Sequence, residues 1–120
     1  MIRVILPSVM IQMATLLSHG KVMVRMVLVM GHTGCGAVQA MLDGKAPEGL
    51  DKVVRDMERA RDKVPQEKAK DLDAIAEGNV RLQLRIIEDN SLPIASAVNN
   101  GTLQLAGAMY ELASGSVRFL

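Results

Sequence analysis

The chain has 120 residues, of which 49% are hydrophobic and only 2% aromatic, and its formal net charge is +1. This length fits a single domain, so we expect residues 1–120 to form one domain that is stabilised by self-association. Nucleic acid is excluded as a partner, because the chain offers neither a strongly cationic surface nor aromatic side chains on which bases stack.

Cysteine usage and hydropathy indicate the compartment. The single cysteine, Cys35, cannot form a disulfide within the chain, which is typical of a reducing environment. No apolar run reaches the roughly 18 residues of a membrane span, and no secretory cleavage site is evident. We therefore expect a soluble protein of the cytoplasm or of an organelle matrix, without a membrane span.

The first part of the chain predicts a helix and then a buried strand. Apolar residues recur at the spacing of one helical face and end before Gly20; they are Met10, Met13, Ala14 and Leu17. Residues 22–30 are almost continuously apolar apart from Arg25. That pattern is typical of a strand covered on both faces, so we predict the central strand of a mostly parallel sheet here.

A glycine-rich turn, Gly-His-Thr-Gly-Cys-Gly at residues 31–36, follows this strand directly. It places His32 and Cys35 three residues apart at the carboxyl end of a buried strand, where α/β folds carry their chemistry. Neutral imidazole and thiolate both suit Zn²⁺, which normally takes three or four protein ligands, and this pair would supply two. The glycines also allow a bound anion to approach the backbone and the start of the next helix.

Three other interpretations of the turn stay open on residue types alone. It could be a purely structural glycine turn in which His32 is hydrogen-bonded and Cys35 is buried. A nucleotide site is disfavoured, because the GxGxxG spacing and the P-loop lysine are absent. A cysteine nucleophile activated by His32 would lack an orienting carboxylate in the turn, and no CxxC motif supports redox chemistry.

The remainder of the chain alternates predicted helices and strands. In residues 50–63, dense charges surround one narrow apolar face, so we interpret this run as solvent-exposed rather than as a binding surface. The predicted elements in order are helices at residues 37–42, 50–63, 72–87 and 91–98, a second buried strand at 102–109, and an antiparallel terminal strand at 117–120. Together they predict an α/β fold: a small, mostly parallel sheet flanked by helices, with an antiparallel C-terminal strand.

Other chemistry-bearing residues have ordinary structural interpretations. Asp71 and Asp73 begin the longest helix, where carboxylates are stabilised by the helix dipole, so we do not assign them as acid–base catalysts. Tyr110 and Phe119 are single aromatics that would anchor the core or a subunit contact. His19 is expected to be a solvated loop residue rather than a third metal ligand.

The sequence resembles the β-class carbonic anhydrases. Residues 32–36, His-Thr-Gly-Cys-Gly, resemble the H-[ST]-x-C-G zinc motif of that family. Further similar segments are Pro7-Ser8-Val9 with the helix at residues 14–17, Asn79-Val80-Arg81-Leu82-Gln83 in the long helix, and residues 107–112 and 115–120 in the closing hairpin. The resemblance thus covers nearly the whole chain and favours the zinc interpretation of the turn.

The resemblance implies a zinc-dependent lyase that reversibly hydrates CO2 to bicarbonate, assembled as a homodimer or as a subunit of a larger assembly. The family's C-x-D-x-R motif, which carries another zinc-ligating cysteine and an Asp-Arg dyad, is absent here, and no Asp precedes Asp43. We expect a chain that lacks the family's N-terminal portion and has an incomplete zinc site at His32 and Cys35.

No catalytic residue is assigned, and carbonate dehydratase activity stays open. The missing ligand and the dyad would be absent or supplied by another chain. The alternative is a catalytically inactive family member, in which the exposed sheet edge and the apolar helix stripe serve assembly as a structural subunit.

Overall fold

The computed structural model of the protein describes residues 2–4 and 24–120. The predicted helix around residues 10–17 and His19 lie outside these residues. Within them, the chain forms a four-stranded sheet and four α-helices. No helix of the described residues is both long enough and apolar enough to cross a membrane.

The sheet is mostly parallel with an antiparallel C-terminal strand, as predicted, and it also contains a strand at residues 2–4 that the sequence pattern did not predict. Its strands are β1 (Ile2–Val4), β2 (Met26–His32), β3 (Gln104–Tyr110) and β4 (Val117–Phe119), and they lie side by side in chain order. The first two pairings are parallel and the third is antiparallel. The strand predicted to be central is therefore an interior strand, β2, and three successive residues in it, at 27–29, are buried.

β2 extends two residues further than its sequence pattern predicts. Its pairing with β3 continues through Gly31 opposite Met109 and His32 opposite Tyr110. Residues 31 and 32 therefore belong to the strand, and the glycine-rich turn begins only at Thr33.

The described helices agree closely with the predicted segments. They are α1 (Gly36–Leu42), α2 (Asp51–Arg61), α3 (Leu72–Asn90) and α4 (Leu92–Asn99), with a short 3₁₀ turn at Gln66–Lys68. The carboxylate of Asp71 precedes α3 and accepts hydrogen bonds from the Asp73 and Ala74 amides, which are otherwise unpaired donors at the helix start. The Ser91 side chain accepts a hydrogen bond from the Ile94 amide at the start of α4.

The apolar stripe of α3 lies against β2 and β3 and forms much of the core. Its residues Ile75, Val80 and Ile87 are almost fully buried. The alternative use of this stripe as an assembly surface is therefore wrong, because the sheet of the same chain covers it. Gly31 and Gly107 lie beneath Val80, and a Cβ at either position would come within 2.9 Å of a Val80 methyl carbon. These two glycines allow α3 to lie close to the sheet.

One carboxylate in the charged segment is an exception to the predicted exposure. Asp56 on α2 is only 8% exposed and accepts hydrogen bonds from Lys52 Nζ at 3.0 Å and from Gln83 Nε2 at 3.1 Å, with Arg59 at 3.6 Å. Burial raises the pKa of Asp56, but the hydrogen bonds from Lys52 and Gln83 and the two positive charges outweigh it and lower the pKa below its ordinary value. Asp56 thus links α2 to α3.

Phe119 does not anchor the core. Its side chain is 60% exposed on β4, the edge strand of the sheet, whereas Tyr110 on β3 is partly buried. The neighbouring Leu120 packs against the core instead.

Candidate metal centre

The two predicted metal ligands lie on either side of a two-residue turn. His32 is the last residue of β2, and Cys35 immediately precedes α1. Between them, Gly34 has a φ of +59°, which lies in the left-handed region that residues with a Cβ rarely adopt. Glycine at position 34 therefore allows the chain to pass from the strand into the helix within so few residues.

A backbone contact of the exposed His32 side chain determines which ring nitrogen is free. Nδ1 lies 2.9 Å from the carbonyl oxygen of Thr33. Because a carbonyl can only accept, we assign the ring proton to Nδ1. Nε2 then keeps its lone pair, which is the state in which a neutral imidazole binds a metal ion.

Cys35 provides a second donor of compatible chemistry. It is a free, half-buried cysteine that packs at the edge of the core, and its side chain makes no capping hydrogen bond to α1. Imidazole nitrogen and thiolate sulfur are both characteristic zinc ligands. The donor atoms of this pair are therefore suitable for zinc, but they would fill only two of the four positions of a tetrahedral site.

A complete ligand set is not found among the described residues. Within residues 2–4 and 24–120, no group of three or more His, Cys, Asp or Glu side chains is placed to hold a metal ion. The Asp71 carboxylate accepts backbone hydrogen bonds at the start of α3, as the sequence predicts for a residue that begins this helix. The site as described is thus a pair of donors, one on each side of the turn formed by Thr33 and Gly34.

Three hydrogen bonds from other parts of the fold support this turn. The Thr33 amide donates to the Tyr110 carbonyl at 3.0 Å, and the Thr33 hydroxyl accepts from the Leu112 amide at 3.0 Å. The Gly34 amide donates to Asp73 Oδ1, also at 3.0 Å. The end of β3, the segment after it and the start of α3 therefore all fix the backbone between His32 and Cys35.

The sequence interpretation missed the contacts of Thr33 and Asp73 with the rest of the fold. Asp73 lies 39 residues from Gly34, and Leu112 lies 79 residues from Thr33. No spacing rule connects positions so far apart. Their approach depends on the parallel pairing of β2 with β3 and on the packing of α3 across both strands.

A family model described as carbonic anhydrase matches residues 8–117 of the chain. Among curated proteins, none matches this sequence significantly. The β-carbonic anhydrase CafA of Aspergillus fumigatus shares 28% identity with a TM-score of 0.72, over 98% of this chain and 59% of that one. Coccomyxa β-carbonic anhydrase, solved with acetazolamide, also shares 28% identity, with a TM-score of 0.70 over 92% of this chain and 52% of that one.

A tetrameric β-carbonic anhydrase of Sordaria macrospora has the same fold, with 21% identity and a TM-score of 0.69 over 98% of this chain and 63% of that one. The chain thus spans between about half and two thirds of the length of these three structures. Since the family model extends over most of the sequence and the solved structures share its fold, the chain belongs to the β-carbonic anhydrase family.

Proposed function

We propose that His32 and Cys35 are two ligands of a zinc ion and that the chain functions in the reversible hydration of CO2 to bicarbonate. The observation that carries this proposal is the hydrogen bond from His32 Nδ1 to the Thr33 carbonyl, which leaves Nε2 free at the end of β2, a two-residue turn away from the Cys35 thiol. The turn follows an interior strand in a member of the carbonic anhydrase family.

Zinc in such a site lowers the pKa of a bound water molecule to about 7, so that hydroxide is available as a nucleophile near neutral pH. The role of this chain is to bind the zinc ion through His32 and Cys35 and to orient these two ligands. The Thr33 carbonyl orients the imidazole of His32, and the supported turn keeps Cys35 at the start of α1. Outer contacts of this kind set ligand orientation and basicity.

The number of ligands limits what the chain does alone. Catalytic zinc sites use three protein ligands and keep a fourth position open for water. Cys35 is the only cysteine, and the sequence contains no C-x-D-x-R motif. We propose that a further ligand and the Asp-Arg dyad come from another chain, and that the isolated chain binds zinc weakly and hydrates CO2 slowly.

Zinc content and activity of the purified chain test this proposal together. We expect the purified wild type, equilibrated with excess zinc in the absence of a chelator, to bind zinc as measured by mass spectrometry, and His32→Ala or Cys35→Ser to bind none. The matched control is His19→Ala, which removes the other histidine and is expected to retain zinc. The rate of CO2 hydration, measured by stopped flow on the same samples, should be lower in the variants that contain less zinc.

Different results lead to different conclusions. A wild type that takes up no zinc and shows no hydration above the uncatalysed rate would contradict the zinc proposal. Equal loss of zinc in the His19 variant would make that residue a ligand, contrary to the expectation from sequence. Zinc binding without activity would leave the metal site intact and contradict catalysis by the chain alone.

An inactive assembly subunit is the second candidate, and one observation favours it. Val117 and Phe119 on the edge strand β4 are 44% and 60% exposed, and such apolar edges commonly meet a partner. Replacement of Phe119 by lysine is then expected to shift the sedimentation profile toward a smaller species. An unchanged profile at equal protein concentration would contradict an assembly role for this edge.

A further inference from the structure

We propose that Asp73 is a positioning residue that fixes the turn between His32 and Cys35 and thereby preorganises both donors for metal. This inference rests on the proposed zinc site for its functional meaning. Its structural part, the control of the turn by Asp73, can be measured without metal.

The hydrogen bond between the Asp73 carboxylate and the Gly34 amide is the contact that carries this inference. Asp73 Oδ1 accepts the Gly34 amide at 3.0 Å, and Gly34 is the residue whose left-handed conformation turns the chain. A hydrogen bond to an ionised carboxylate is stronger than one between neutral groups. The amide belongs to the peptide that joins Thr33 to Gly34, in the middle of the segment that separates the two donors.

The start of α3 explains why Asp73 is free for this role. Asp71 already accepts the amides of residues 73 and 74, so the helix does not need a second capping carboxylate. Among the described ion pairs, none involves Asp73.

The packing of α3 on the sheet sets the position of the Asp73 carboxylate. Val80, two turns further along α3, lies over Gly31 and Gly107, where the absence of side chains allows a close approach. This approach sets the depth at which α3 lies on β2 and β3. The start of α3 is thereby held beside the carboxyl end of β2, where Asp73 reaches the turn.

Three variants separate positioning from helix stability. Asp73→Ala removes the acceptor, Asp73→Asn keeps a side-chain oxygen but loses the charge, and Asp71→Ala is the matched control that weakens the start of the same helix without touching the turn. Zinc affinity is measured by competition with a chromophoric chelator. The geometry of the site is followed by the absorption spectrum of bound Co²⁺, and stability by thermal unfolding.

Removal of an outer contact to a metal ligand site typically weakens metal binding about 10- to 100-fold, and we expect Asp73→Ala to fall in that range. Asp73→Asn should recover much of this loss and restore the Co²⁺ spectrum. Asp71→Ala should lower the thermal midpoint but weaken zinc binding much less than Asp73→Ala, because Asp71 contacts the amides of residues 73 and 74 and not the turn itself. In metal-free protein, hydrogen exchange of the Gly34 amide, measured by NMR, should be faster in Asp73→Ala than in the wild type.

The metal-free measurement distinguishes failure of this inference from failure of the proposed function. If the wild type binds no zinc but Asp73→Ala still accelerates exchange at Gly34, the zinc proposal fails and control of the turn by Asp73 stands. If exchange at Gly34 is the same in both proteins, the inference is overturned, whatever the zinc result. It is overturned equally if Asp71→Ala weakens zinc binding as much as Asp73→Ala.

Discussion

A methyl group added at Gly31, the residue before His32, tests how closely α3 must lie on the sheet. A Cβ at this position would lie 2.9 Å from both Met109 Sδ and Val80 Cγ2, whereas ordinary contacts begin at 3.4 Å. The flexible thioether of Met109 can turn aside, but Val80 is β-branched and held in one rotamer on a helix. We therefore expect Gly31→Ala to force a shift of α3 and to destabilise the protein by about 1–3 kcal/mol.

Urea unfolding followed by circular dichroism, at one fixed protein concentration, measures this cost. Gly36→Ala is the matched control, because its added Cβ meets no atom within 4 Å and its φ is not positive. It should leave the stability unchanged or raise it slightly. Val80→Ala should relieve the clash, so the double variant should lose less than the sum of the two single losses. Equal midpoints for the Gly31 and Gly36 variants, or strict additivity with Val80→Ala, would refute this argument.

Three further changes test other links in the fold. Folding lowers the pKa of Asp56, so the ionised carboxylate stabilises the folded protein fully above its ordinary pKa of 3.8. This stabilisation is lost as the pH falls through the lower pKa of the folded state. Asp56→Asn should therefore make the urea midpoint less sensitive to acidic pH. Arg118→Ala removes a 2.8 Å ion pair with Glu77 and should cost about 0.2–1 kcal/mol, with faster amide exchange confined to β4. Thr33→Val leaves the Leu112 amide without its acceptor and should cost about 0.5–1.5 kcal/mol, which Thr33→Ser should largely restore.

The sequence predicted those parts of the fold whose causes are local. Ser91 marks the start of α4, and Asp71 marks the start of α3, because each side chain satisfies amides within three residues of itself. The buried stripe of α3 repeats at helical spacing, and the continuous apolar run of β2 reflects cover on both faces. For these elements, local preference and tertiary packing agree.

The differences arise where distant residues decide the outcome. β2 continues to His32 because β3 offers pairing partners as far as Tyr110, and nothing in residues 31 and 32 themselves indicates this. Asp56 lies in a segment whose charges predict exposure, yet Gln83 of α3 draws it into a buried hydrogen bond. The exposure of Phe119 follows from the edge position of β4, which depends on the order of the strands.

The candidate metal centre depends both on residues close together in the sequence and on residues far apart in it. Its donor atoms are visible in the sequence, because His32 and Cys35 are separated by only two residues, but the groups that hold them are not. Tyr110, Leu112 and Asp73 each bond to the Thr33–Gly34 turn from a different part of the chain. The conformation of the turn is thus set by hydrogen bonds from elsewhere in the fold, so a metal ion bound at the proposed site would not have to supply the free energy of ordering it. If another chain supplies a further ligand, as we propose, it would meet two donors whose connecting backbone the fold already fixes.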